Sequence, residues 1–136
     1  MLTLRIAQQL AARCEQEAAA IACPMSIAVV DAAANVILHQ RMDGALLGSV
    51  AASYKKARCA VLYKRPSKVF EDVLAGGRMA VLTLPDVIAI EGGIPLLIGD
   101  VLAGAIGVSG GTAQQDGVVA TKAIEHFASL AANSPR

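Results

Sequence analysis

Between positions 86 and 111 the chain reads DVIAIEGG, IPLLIGD and VLAGAIGVSGG, apolar stretches of strand length punctuated by glycine. Short apolar runs bounded by turn residues read as buried strands, so three strands are expected here in succession, the last two joined by a tight hairpin at Gly99-Asp100. Two further strands are expected upstream. MSIAVVD (25–31) is a buried-strand run, and VILHQRM (36–42) alternates, with Val36, Leu38, Gln40 and Met42 on one side and Ile37, His39 and Arg41 on the other.

The rest reads as helix. Thr3 is suited to cap a first helix in which Ile6, Leu10, Cys14, Ala18 and Ile21 recur at helical spacing, and Pro24 stops it. Ser49 is expected to cap a second helix reaching about Lys64. Pro66 suits the first turn of a short third helix ending at Gly76-Gly77. Residues 78–84 are ambiguous between loop and extended chain. Thr112 and Gln115 match a capping box opening a last helix with Val119, Ala123, Phe127 and Leu130 on one face. The expected order is αββααβββα, a mixed α/β (α+β) domain over 1–136 with one sheet flanked by helices.

Composition limits what such a domain does. The chain of 136 residues is 55% hydrophobic and 3% aromatic, so Ala, Val, Ile and Leu must build the core, and part of the apolar surface is expected to be buried in a homo-oligomer. A net charge of +1 supplies no field for nucleic acid or membrane, and no apolar run approaches the roughly 18 residues of a membrane span. Cys14, Cys23 and Cys59, an odd number without metal-ligand spacing, suit reduced thiols in the cytoplasm.

GVSGG (107–111) contains the Gly-x-Ser-x-Gly pattern of a hydrolase nucleophile elbow. A nucleophile needs its histidine within hydrogen-bond reach, and His126, far along the last helix, stands roughly 20 Å from Ser109 at 1.5 Å per residue. Gly107, Gly110 and Gly111 fit better as a sharp strand-to-helix turn whose amides form an anion site, with Asp116 favouring the helix dipole. Arg41, Asp43 and Gly44 in RMDGA could hold a carboxylate at a strand end, or form an intrachain pair at a turn. His39, on the same face as Arg41, is a candidate metal or haem ligand or general base. Lys55, Lys56, Arg58, Lys64, Arg65 and Lys68 fall within fourteen positions holding no acid, either a solvated face or a rim for carboxylates. Glu91, beside Gly92-Gly93, is an ordinary loop residue or a general base.

Taken in order, AVVD (28–31), RMDGA (41–45), Lys56-Ala57, GGIP (92–95), GAIGVSGG (104–111) and QD (115–116) resemble the GlcG/HbpS-like family, also found as the C-terminal domain of some corrinoid adenosyltransferases. The resemblance implies a profilin-like three-layer α/β/α sandwich, a five-stranded antiparallel sheet with helices on both faces, and homo-oligomerisation. Some relatives bind haem, and others sit beside genes for small-molecule catabolism. The family's motif positions fall on Asp31, Arg41, Asp43, Lys56, Gly93, Ser109, Gly110 and Asp116. The chain departs from the pattern in having no histidine in its first helix and in placing Glu91 where proline often precedes the glycine pair.

Two functions are therefore expected. The first is a small-molecule-binding homo-oligomer for haem, another tetrapyrrole or another anionic ligand, with Arg41, Asp43, Lys56, Ser109, Gly110, Gly111 and Asp116 at the site and His39 on the haem iron. The alternative is a cofactor-free tautomerase or lyase acting on an unsaturated carboxylic acid, with Glu91 or His39 as base and Arg41 or Lys56 holding the carboxylate.

Overall fold

In the computed structural model, which describes residues 2–132, the sheet has four strands rather than the five expected. The order along the chain is α1 (Leu4–Ala20), β1 (Ser26–Asp31), β2 (Val36–Arg41), α2 (Gly48–Tyr63), α3 (Ser67–Ala75), a 3-10 turn (Met79–Thr83), β3 (Gly93–Ile98), β4 (Val101–Ser109) and α4 (Ala113–Ala132). The expected order αββααβββα therefore loses the strand at DVIAI. Its apolar residues are not laid on the sheet: Val87, Ile88 and Ala89 pack against Cys59, Phe70 and Val81 beneath α2 and α3. Side chains also replace the missing ladder, since Ser67 Oγ donates to the Ile90 carbonyl (2.6 Å) and the Glu91 amide donates to Glu71 Oε1 (3.1 Å). The end of this apolar run thus finds side-chain partners where a strand neighbour would have stood.

The four strands lie in the order β2-β1-β4-β3, all antiparallel. Successive side chains leave a strand on opposite faces. Ile27, Val29, Leu96, Ile106 and Val108 join Ala7, Leu10 and Cys14 of α1 and Val119, Ala123 and Phe127 of α4 in one core. Ala28, Val30 and Ala105, on the opposite face, meet Ala57, Ala60 and Val61 of α2. Each fully buried Val, Leu or Ile contributes about 1.5–3 kcal/mol, so two aliphatic cores take the place of aromatic mass.

The second face is built for close approach. A Cβ on Gly107 would overlap the Ser53 carbonyl, and one on Gly93 the Lys56 carbonyl, so α2 lies with its backbone directly on the sheet. Ends differ in how they are made. Thr3 caps α1 by accepting from the Ile6 amide, and Thr112 and Gln115 form the reciprocal capping box of α4 (2.9 and 3.1 Å). Ser49, by contrast, does not cap α2. It lies inside the first turn and donates to the Leu46 carbonyl, while its hydroxyl also meets Ser26 Oγ at 2.8 Å.

Candidate functional site

RMDGA and GVSGG come to the same end of the sheet. Ser26 of β1 lies opposite Arg41 on one side and Ser109 on the other, placing those two residues about 10 Å apart at two strand spacings. All three share the face of Ala28, because positions two apart on a strand point the same way. The Ser26–Ser49 contact seats the start of α2 above this row. Arg41 and Asp43 are exposed, and among the described residues neither takes part in an ion pair. Arg41 is a cation with its donors unspent.

His39 stands one rung away on the same face, opposite Ala28. Its Nε2 lies 2.9 Å from the Val50 carbonyl and 3.0 Å from Ser53 Oγ, and Ser53 Oγ itself donates to that carbonyl (2.9 Å). A carbonyl only accepts, so the neutral ring carries its proton on Nε2 and turns the Nδ1 lone pair away from α2. That is the arrangement of a metal-binding histidine whose other nitrogen is tied to backbone. Val50 is 37% exposed, and Leu46 and Leu47 just before it are 69% and 78% exposed. Apolar surface therefore flanks an available imidazole. No group of three or more His, Cys, Asp or Glu gathers as a metal site among the described residues.

Lys56, Asp116 and the glycine turn form a separate arrangement. Lys56 is 1% exposed, and its Nζ donates to Asp116 Oδ2 (2.9 Å) and to the Val108 carbonyl (3.0 Å). Asp116 Oδ1 accepts from the Gly111 amide (2.8 Å). Gly92 gives the lysine its path, since a side chain there would press on Lys56 Cδ and Nζ. Burial pushes the Asp116 carboxyl up, against the pull of Lys56 and of the Gly111 amide. The anion at the start of α4 is thus the protein's own carboxylate, and the Lys56 charge is spent inside the fold. Asp31 is also engaged locally, its Oδ1 accepting from the Ala33 and Asn35 amides in the β1–β2 turn.

Glu91 enters at the opposite edge. Gly93 pairs with Gly107, Gly107 with Ala28 and Ala28 with His39, so about 14 Å of sheet separates the chain next to Glu91 from His39. The Glu91 carboxylate lies against Gly117 in the first turn of α4, and desolvation raises its pKa while Lys68 lowers it. Ser109 is buried, and His126 is the fourteenth residue of α4, so no histidine serves it from that helix.

Against known proteins, the family description "Haem degrading protein HbpS-like" matches residues 2–125. The chain belongs to the HbpS-like family. It is 35% identical over 109 residues to protein GlcG of Escherichia coli K12, covering 80% of this chain and 81% of that one. Among solved structures, Klebsiella pneumoniae protein ORFY aligns with a TM-score of 0.88 at 34% identity, covering 93% and 90% of the two chains. A PduOC:heme complex aligns with a TM-score of 0.83 at 30% identity, covering 91% and 93%. Lys56, Gly93, Gly110 and Asp116, which the sequence resemblance singled out, all lie around the internal ion pair or around the close seating of α2. The buried serines Ser26, Ser49 and Ser53, which support the His39–Arg41 face, are residues that motif reading missed. Only their place within apolar runs could have marked them.

Proposed function

We propose that this protein is a haem-binding or tetrapyrrole-binding member of its family, in which His39 would hold the iron and Arg41 at the sheet end would pair with a carboxylate of the ligand. The observation that carries the reading is the state of His39: exposed, with Nε2 fixed on the Val50 carbonyl and Nδ1 available. Haem suits this donor set. It needs one protein nitrogen rather than a cluster of ligands, a flat apolar surface such as Leu46, Leu47 and Val50 offer, and a cation for its propionates. When bound, the group would supply an iron centre; the chain's part is to orient the imidazole, cover one face and hold the charged edge. The PduOC relative, crystallised with haem, supports haem as the ligand class. A second copy covering the other face would bury the exposed leucines, which is why a homo-oligomer belongs to this proposal.

The acid–base alternative has one observation in its favour, the raised pKa of Glu91 at the first turn of α4. Against it, Arg41 and His39 stand at the other edge of the sheet, and Lys56 is already paired. A haemin titration followed by absorbance tests the proposal. The wild type should give a saturable, shifted Soret band, His39→Ala should lose it, and Arg41→Ala should weaken binding about tenfold, as expected for one lost charge-assisted contact. A spectrum that stays that of free haemin would overturn it.

A further inference from the structure

Beyond the His39 face, α2 and the loop that follows the 3-10 turn enclose a cleft of about 380 Å3, lined by Tyr54, Lys55, Arg58, Asp86, Val87 and Ile88. Its size lies within the range of small-molecule sites, which combine an apolar wall with a few placed charges. The wall on the loop side is fixed. Tyr63 Oη donates to the Pro85 carbonyl (2.5 Å), and Val87 and Ile88 pack onto the Cys59–Phe70–Val81 cluster. Asp86 is held with φ at +61°, an uncommon conformation for a residue other than glycine, and reaches Arg58 Nε at 3.5 Å.

The charge in the cleft is unbalanced. Of the six cations between positions 55 and 68, Lys64 is not in the cleft lining, Lys56 is buried on Asp116, Lys68 is paired with Asp72 and Arg65 donates to the Tyr63 carbonyl. Lys55 makes no ion pair among the described residues, and Arg58 has only the long, half-exposed contact with Asp86. Two cations therefore face one carboxylate beside an aromatic ring and two aliphatic side chains. We infer that this cleft binds a small organic acid, its carboxylate between Lys55 and Arg58 and its flat apolar body between Tyr54 and Ile88. A guanidinium already oriented by Asp86 loses little freedom on taking a carboxylate. An inorganic anion would use the cations and leave the apolar wall wet.

The site adjoins the His39 face, with the Tyr54 and His39 ring centroids 6.3 Å apart, so the test separates the two. Benzoate is titrated into the full chain and followed by amide NMR shifts, with benzamide as the uncharged analogue and inorganic phosphate as the anion without an apolar body. Benzoate should move Tyr54, Arg58, Val87 and Ile88 with a Kd near a millimolar, while benzamide and phosphate bind at least about tenfold more weakly. Arg58→Gln and Lys55→Gln should each weaken benzoate about tenfold and leave the haemin absorbance titration unchanged. The inference fails if benzoate shifts fall elsewhere, if benzamide or phosphate matches benzoate, or if Arg58→Gln weakens haemin in parallel, since the cleft would then be part of the haem face.

Discussion

Lys56 illustrates how a charged residue suited to a ligand serves the fold. Its ammonium and the Asp116 carboxylate are buried together and leave each other no unpaired charge. Lys56→Met should cost about 3–5 kcal/mol, because the carboxylate stays behind without its partner, and adding Asp116→Asn should return part of that loss. Urea unfolding of Lys56→Met, Asp116→Asn and the double variant measures both, and strictly additive losses would argue against coupling. Glu91 carries a different consequence. Its folded pKa lies above 4.5, so the native state holds the proton more tightly than the unfolded chain, and stability falls as pH rises from about 4.5 through the folded value. Glu91→Gln removes that penalty. Thermal melts from about pH 4 to 7 should show the variant gaining on the wild type as pH rises; a constant gap would contradict the assignment. Among the thiols, burial pushes Cys14 up to about 12 and raises Cys59, while Cys23 is partly exposed. Iodoacetamide at neutral pH should add once to the native protein, at Cys23, as read by peptide mass spectrometry.

At the scale of elements, the seating of α2 on glycine decides the geometry of the His39 face. Gly107→Ala places a methyl group against the Ser53 carbonyl and must lift the helix, at a cost of about 3 kcal/mol or more, visible as a fall in melting temperature. The helices and the four strands that formed were legible in the sequence from their periods and turns: Thr3 caps α1, which ends at Ala20, short of Pro24, and Gly99-Asp100 closes the β3–β4 hairpin. DVIAI was misleading because an apolar run states that it is buried, not against what; a cluster under α2 and α3 serves as well as a sheet. The site was legible in part. Arg41 and Ser109 share a sheet end only because β1 separates their strands, a register the linear sequence does not contain. The pairing of Lys56 with Asp116 was hidden for the same reason, since sixty positions separate two residues that each suited a ligand.

Seen whole, the molecule has one family architecture and a surface richer in apolar side chains than a small monomer requires. Leu46, Leu47, Leu97, Val101 and Val118 are each at least half exposed. No helix among the described residues is long and apolar enough to cross a membrane. The proposed homo-oligomer accounts for this surface, and light scattering at micromolar concentration should give a mass above that of one 13.9 kDa chain; a monomer would leave the leucines unexplained. The proposed hold of His39 Nδ1 on a haem iron is read by cavity rescue. His39→Gly is titrated with haemin, with and without imidazole, and the Soret region recorded. The variant alone should lack the shifted band, and imidazole should restore it beyond the band that the same imidazole and haemin give without protein. A band unchanged from wild type in the variant alone would contradict the claim.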